Sequence, residues 1–125
     1  ESKECEWQEA SFGMLGLETA LSIVQKTMVD SGLMDWNMVA ERMSYAPARI
    51  GGYESQGLEI AVGSTANLVV IDPSRNWHVD RDLTMSKATN TPYHGHTLPG
   101  VITHTFFRGR ATVIDSVIQK IGEVQ

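Results

Sequence analysis

The first half of the chain carries apolar residues at helical spacing. One set recurs at intervals of three and four residues and predicts a helix over residues 16–31 with one apolar face. Its members are Leu17, Ala20, Leu21, Val24 and Met28. Gly32 is placed to end this helix in the left-handed conformation.

A second helix is predicted over residues 36–45. Asp35 is a good N-cap for it. Pro47 cannot continue this helix but could open another short turn. The glycine-rich segment 50–57 is typical of a connector. The inward face of the helix would contain Trp36, Val39, Ala40 and Met43.

The second half of the chain has the composition of β-strands. Short runs of apolar and β-branched residues, bounded by turn residues, predict strands there. The turn at Arg108-Gly109 predicts a hairpin, and residues 83–100 form a long irregular link. The predicted runs are 66–72, 76–80, 100–109 and 110–118.

Helices followed by strands indicate an α+β arrangement, or a small β module appended to something helical. Strands that are apolar on both faces need partners to cover them. The sequence also begins at Glu1, without an initiator Met. These features together predict the end of a larger protein.

Composition excludes several classes of function. Hydrophobic residues make up 42%, charged residues 20%, and the net charge is −5, as in an ordinary globular domain. No Lys/Arg run is present, which argues against nucleic acid and acidic membranes as partners. No apolar run approaches the ~18 residues of a membrane span, and the charged start is not a signal peptide. The single cysteine, Cys5, allows no internal disulfide, which fits a reducing cytoplasm.

Five segments, in this order, resemble the C-terminal part of dihydroorotase, the long class I type of bacteria. They are FGMLGLETAL (12–21), YAPARIGG (45–52), GLEIAVGSTANLVVIDP (57–73), SKATNTPYHGHTLPG (86–100) and GVITHTFFRGR (100–110). The G-x-x-G-L-E-T and S-K-x-x-N-T-P segments are fairly specific to this family. The ANLVVID strand is shared across the amidohydrolase superfamily.

The resemblance implies the α/β fold class. The chain would be the C-terminal part of an amidohydrolase (β/α)8 barrel of about 250 residues or more, with strands of an accompanying small β-sandwich. Residues 1–52 would end the barrel domain, with the substrate-contact loop and the last helices. Residues 53–125 would form the C-terminal portion of the sandwich, with the link (83–99) running back over the barrel. The N-terminal part of the same protein would supply the missing strands.

The resemblance also implies an activity, the zinc-dependent reversible cyclisation of N-carbamoyl-L-aspartate to dihydroorotate in cytoplasmic pyrimidine biosynthesis. Zinc polarises the amide carbonyl and lowers the pKa of bound water toward about 7, and an aspartate moves the proton. In the family the metal ligands, which include an H-x-H pair, and this aspartate lie upstream of the matched segments. We therefore expect no catalytic residue and no metal ligand in this chain, and no activity from its 125 residues alone.

Phe12 and Gly13 are the substrate-binding residues that the resemblance assigns. In the family the backbone of this pair contacts the pyrimidine ring. Dihydroorotate presents adjacent C=O and N–H groups that a main chain can pair with, and Gly13 has no Cβ to prevent close approach. On the residues alone, a flexible turn before a helix is the favoured interpretation. With the resemblance, the substrate contact is preferred.

His94 and His96 suggest a metal site. On a strand, a His-x-His pair would place both rings on one face, as in zinc hydrolases. No third ligand has a suitable spacing, because His78 and His104 fall on different predicted strands. Surface or interface histidines are therefore preferred over metal ligands.

The remaining candidates have structural interpretations. Glu18 and Thr19 suit the first turn of a helix, where a carboxylate meets the dipole and free N–H groups. Lys87 and Asn90 could hold the link by hydrogen bonds to carbonyls. Cys5 lies between Glu4 and Glu6 with no cationic neighbour except Lys3, so a loop or packing cysteine is preferred over a nucleophile. Core, barrel or interface contacts are expected of Met14, Met28, Met34, Met38, Met43, Trp7 and Trp36.

Three departures from the family pattern, Ser11, Ala46 and Asn67, keep an inactive paralogue open. Two alternative functions also stay open. One is another cyclic amidohydrolase, such as a dihydropyrimidinase or an allantoinase. The other is a non-catalytic dihydroorotase-like subunit that scaffolds aspartate carbamoyltransferase. A homo-oligomer is compatible with each of them.

Overall fold

In a computed structural model, which describes residues 4–10 and 13–119, two helical stretches precede a four-stranded sheet. The first helix is α1 (Ala20–Val24) continued by a π turn (Gln25–Val29). The second is α2 (Trp36–Ala40), a π turn (Glu41–Tyr45) and α3 (Ala46–Gly51). The strands are β1 (Leu68–His78), β2 (Thr97–Phe107), β3 (Arg110–Ile114) and β4 (Val117–Ile118), with a 3-10 turn at Arg81–Leu83.

The first helix begins later than predicted and buries a different face. Residues 17–19 form a turn, and Leu17 is 86% exposed. The buried side chains are polar ones, Ser22 and Gln25, each 4% exposed. Gly32 has φ +76° and lies just beyond the helix end, as predicted.

The second helix starts as predicted but passes through Pro47. Its cap is confirmed, because the Asp35 carboxylate accepts a hydrogen bond from the N–H of Met38 at 2.8 Å. Pro47 opens α3, which continues the helix without a break. The π turn before it explains this: the N–H of Ala46 donates to the C=O of Glu41, five residues back. Such a wide turn accommodates a proline ring that would collide with the carbonyl four residues back in a regular α-helix.

The π turn also rotates the inward face of the second helix. Val39 is buried as predicted, at 4% exposed. Met43, predicted to point inward, is 41% exposed. A π turn holds one extra residue, so positions after Glu41 leave the face that regular helical spacing assigns to them. Ala48 in α3 takes up the buried face instead.

The sheet is an antiparallel meander in the order β1-β2-β3-β4. The predicted runs 66–72 and 76–80 form the single strand β1, with a bulge between Asp72 and Asn76. Inside the bulge the Asp72 carboxylate accepts hydrogen bonds from the hydroxyl and the N–H of Ser74, at 2.6 and 3.0 Å. These bonds favour the charged form and lower the pKa of Asp72.

Two tight turns join the last three strands. Arg108 and Gly109 have φ +52° and +79°, the signature of a type I′ turn, so the predicted hairpin is confirmed. Asp115 and Ser116 repeat it with φ +49° and +65°. This second turn divides the predicted run 110–118 into β3 and β4.

The first helix joins the sheet through hydrogen bonds at the β1 bulge, a cluster called here the polar junction. The Ser22 hydroxyl donates to the C=O of Gly100 at 3.1 Å and accepts from Nε1–H of Trp77 at 2.9 Å. Nε2 of Gln25 donates to the C=O of Pro73 at 2.9 Å. Pro73 lies within the bulge, and Gly100 lies opposite it, where the β1–β2 pairing is interrupted. The helix therefore supplies hydrogen bonds that the ladder lacks at this point.

Much apolar surface stays open on the strands. Val79 and Leu98 are the largest fully buried side chains among the described residues. Exposures of 40% or more are found at Val69, Val70, Phe107, Ile114, Val117 and Ile118. Such faces fit strands that need further partners. None of the helices formed by the described residues is long and apolar enough to cross a membrane.

Candidate functional site

The candidate site centres on Gly13. Phe12, the other substrate-binding residue assigned by the resemblance, lies outside the described residues, as does Ser11. Gly13 is exposed, and a Cβ built on it would meet nothing within 4 Å. The backbone at Gly13 is therefore open to a ligand in the described part of the chain.

Asn90, in the link, holds this backbone through two hydrogen bonds, one from its side chain and one to its main chain. Its side-chain Nδ2 donates a hydrogen bond to the C=O of Gly13. Its own C=O accepts a longer hydrogen bond from the N–H of Leu15, at 3.4 Å. The prediction that Asn90 bonds a carbonyl is thus confirmed. Lys87 is exposed, and its role stays a prediction.

Glu18 makes a second connection between the same two segments. Its Oε1 accepts hydrogen bonds from the N–H groups of Met85 and Ser86, at 3.1 and 3.2 Å, and its Oε2 lies 3.3 Å from the Met85 nitrogen. Residues 13–18, called here the Gly13 loop, and residues 85–90 of the link are therefore joined at both ends.

The structural interpretation of Glu18 and Thr19 is supported, although the predicted reason was wrong. Glu18 precedes the helix, which begins at Ala20, and its carboxylate accepts N–H groups of the link instead of its own first turn. Thr19 is buried, and its hydroxyl donates to the C=O of Gly16 at 3.2 Å. The Glu18 contact is not visible in local sequence spacing, because Glu18 and Met85 are 67 residues apart.

The two histidines of the link lie in a turn and not on a strand. Both are exposed, as predicted, and Gly95 between them has φ +81°. Nδ1 of His94 accepts a hydrogen bond from the N–H of Arg81 at 3.1 Å and lies 3.8 Å from a carboxylate oxygen of Asp80. His96 meets the ring of Tyr93 edge-on and accepts the N–H of Val79 on its carbonyl. His94 thus serves as a local hydrogen-bond acceptor.

The residues present do not fit a zinc centre. Across residues 4–10 and 13–119, no three His, Cys, Asp or Glu side chains are grouped so that they could hold a metal ion. His78 pairs with Thr97 and His104 with Val70, so these two histidines lie at opposite ends of the β1–β2 ladder. Two histidines alone do not make a catalytic or structural zinc site.

Replacing both link histidines should leave the metal content of the intact protein unchanged. The variant His94→Asn/His96→Gln keeps an acceptor side chain beside the N–H of Arg81. We expect the same zinc per protein as in the unaltered protein, measured by atomic absorption. A loss of half or more of the metal would contradict this, provided that the variant unfolds at an unchanged temperature.

Several other candidates lie at the surface. Cys5 is exposed. Trp7 is 93% and Met14 73% exposed, so neither lies in the core of the described chain, and the barrel or interface contacts expected of them stay predictions. Trp36 is half-buried. The two clefts near the connector, of about 90 and 300 Å³, are lined by residues of 45–68 and do not include Gly13.

Asn67, one of the departures from the family pattern, has a structural role. Its Nδ2 donates to the C=O of Ser55 at 2.9 Å, and its Oδ1 accepts from the N–H of Arg108 at 2.8 Å. An aspartate could make the second bond but not the first. The amide therefore ties the connector and the β2–β3 turn to the start of β1.

Solved structures match the fold over most of the chain. L-Hydantoinase (dihydropyrimidinase) from Arthrobacter aurescens matches with a TM-score of 0.80 and 28% identity, over 90% of this chain and 25% of that one. A D-hydantoinase matches with a TM-score of 0.77 and 26% identity, over 89% of this chain and 24% of that one. A comparison with protein-family models finds no match. The fold is thus that of the matched portion of these amidohydrolase structures, with mixed helices and strands.

Sequence similarity separates this chain from the hydantoinases. It is 51% identical to a dihydroorotase of Streptomyces coelicolor over 115 residues, which are 92% of this chain and 27% of that protein. It is 42% identical to a dihydroorotase of Mycobacterium tuberculosis over 120 residues, 95% of this chain and 28% of that protein. The chain is similar to these dihydroorotases over most of its own length and spans about a quarter of theirs.

Proposed function

We propose that this chain is the C-terminal portion of a zinc-dependent dihydroorotase, which interconverts N-carbamoyl-L-aspartate and dihydroorotate in the cytoplasm. The observation that carries the proposal is the 51% identity with a curated dihydroorotase over 92% of the chain. The hydantoinase structures are less similar, at 26% and 28% identity.

In this proposal the segment contributes substrate contact and architecture. The backbone of Phe12 and Gly13 contacts the ring of dihydroorotate, residues 1–52 end a (β/α)8 barrel, and residues 53–125 complete a small β-sandwich. The exposed backbone of Gly13 and the open apolar faces of the strands support this division. The segment alone is expected to be inactive.

Zinc enters the proposal from the family alone. Because the described residues do not fit a zinc centre, no step of the reaction is assigned to a metal held by this segment. We infer that the zinc ligands lie in the part of the protein that this segment does not include, since the segment spans only about a quarter of the relatives' length.

Substrate choice tests the proposed function in the intact protein that contains this segment. Ring opening of dihydroorotate, dihydrouracil, hydantoin and allantoin is compared, with zinc supplied. A site built to pair the carboxylate of dihydroorotate should reject the analogues that lack it, so we expect kcat/KM for dihydroorotate to be higher by roughly 10²-fold or more. Protein stripped of metal is the control and should recover activity when zinc is returned.

The same assay separates the alternatives. A preference for dihydrouracil, hydantoin or allantoin would assign the protein to another cyclic amidohydrolase. A folded, zinc-loaded protein that opens none of the rings would indicate the non-catalytic subunit. Co-purification with aspartate carbamoyltransferase, and the mass of the assembly, would then test scaffolding and the homo-oligomer.

A further inference from the structure

The Gly13 loop has little intrinsic order of its own. It contains Gly13 and Gly16, and glycine populates more backbone conformations than any other residue. The loop precedes the helix, which begins at Ala20, so helical hydrogen bonds do not fix its first residues. A backbone contact to a ligand requires peptide groups of defined orientation, and some other part of the chain has to set it.

The link supplies this order through Asn90. Donation from its amide to the C=O of Gly13 fixes the direction of that carbonyl. Because the peptide unit is planar, the following N–H, on Met14, is fixed in the same plane. The second bond, from the N–H of Leu15 to the C=O of Asn90, holds the next peptide unit from the same residue. A carbonyl oxygen has two lone pairs, so the Gly13 carbonyl keeps acceptor capacity for a ligand.

Glu18 keeps the link in place. Its carboxylate accepts N–H groups at Met85 and Ser86, four to five residues before Asn90. The hydroxyl of Ser86 accepts a hydrogen bond from the N–H of Ala88 at 3.3 Å, and this bond shapes the intervening turn. Thr91, directly after Asn90, is buried. The link is thus anchored on either side of the residue that touches Gly13.

We propose that Asn90 is a positioning residue for substrate binding, which acts by orienting the Gly13 backbone, and that Glu18 supports it by anchoring the link. This inference rests on the proposed function, because it deepens the contact assigned there to Gly13. It assigns a purpose to two segments that are distant in sequence, G-L-E-T and S-K-x-x-N-T-P.

The test uses the intact, zinc-loaded protein with Asn90→Ala and Asn90→Asp. Alanine removes the donor, whereas aspartate replaces it with a carboxylate that repels the Gly13 carbonyl. We expect KM for dihydroorotate to rise about 10-fold or more with alanine and further with aspartate, while kcat changes less, because a contact made in both ground and transition states is lost. Thr89→Ala, next to Asn90 in the same link and exposed, is the matched control and should keep the original KM.

Each result bears on the inference. Turnover with KM unchanged in both Asn90 variants would overturn it. A rise in KM accompanied by a loss of zinc or by a lower unfolding temperature would also overturn it, because it would indicate a merely structural role. If the unaltered protein turns over no dihydroorotate, the proposed function fails instead. Hydrogen exchange at the Leu15 amide then decides separately: faster exchange in Asn90→Ala supports ordering of the loop, and unchanged exchange overturns it.

Discussion

Gly100→Ala should destabilise the sheet of the intact protein by about 2–6 kcal/mol, the largest loss of stability that we predict. Gly100 has φ +81°, where a residue with a Cβ is strained by about 1–3 kcal/mol. The added Cβ would also lie 2.4 Å from Oε1 of Gln25. Gln25 is 4% exposed and bonded to Pro73, so it cannot swing aside freely, and such overpacking costs about 1–3 kcal/mol more.

Hydrogen exchange of amides in β2 and the first helix measures this effect, because it reports the free energy of local opening. Gly109→Ala is the matched control. It has nearly the same φ, +79°, but nothing within 4 Å of the added Cβ, so it should show the backbone strain alone. In a Gln25→Ala background, which lacks the overlapping atom, Gly100→Ala should cost less than it does in the unaltered protein. Equal losses for Gly100→Ala and Gly109→Ala, or an equal cost of Gly100→Ala in both backgrounds, would contradict the predicted overlap.

Ser22→Ala should cost about 2–4 kcal/mol, the second largest loss. It removes the acceptor of Trp77 Nε1–H and the donor to the Gly100 carbonyl in one step. A buried polar group left without a partner costs about 1–3 kcal/mol. The Gly100 carbonyl lies opposite the β1 bulge, where the strand ladder does not replace the lost bond.

A double-mutant cycle separates the two bonds of Ser22 in the same exchange measurement. Trp77→Phe removes the indole donor, so Ser22→Ala should cost less in that background, by about 1 kcal/mol. Ser31→Ala is the control, since its hydroxyl bonds to Thr27 and Met28 carbonyls at an exposed helix end. A loss for Ser31→Ala as large as that for Ser22→Ala would mean that the junction has no special importance.

Local rules predicted those parts of the fold that local chemistry controls. The Asp35 cap, Gly32 after the first helix and the Arg108-Gly109 hairpin are confirmed, because each depends on residues adjacent in sequence. The turn at Asp115-Ser116 was missed, since it has positive φ at both residues without a glycine. The continuation of the helix through Pro47 was missed as well, because it needs a π turn that apolar spacing does not signal.

The polar junction shows where periodicity fails for a physical reason. Ser22 and Gln25 have the polarity of a solvent-facing surface, yet they are buried. They are buried because a bulge in a strand about 50 residues away leaves backbone groups that need hydrogen bonds. Apolar spacing in the helix contains no information about that bulge.

The candidate site, too, could be predicted from the sequence only in part. The resemblance identified Gly13, and the residue types of the link suggested hydrogen bonds from Asn90 to carbonyls. The partner of Asn90 is 77 residues away and that of Glu18 is 67 residues away, so neither pairing follows from sequence spacing. The His-x-His pair lies in a turn around Gly95, where the alternation of a strand does not apply, so the reason for expecting both rings on one face is absent.

A crystal structure of the intact protein with dihydroorotate bound would show whether the Gly13 backbone contacts the substrate. We predict the ring within hydrogen-bond distance of the Gly13 backbone, the side chain of Asn90 still on the Gly13 carbonyl, and zinc bound entirely by residues outside this segment. A ring bound away from Gly13, or zinc coordinated by His94 or His96, would contradict this prediction.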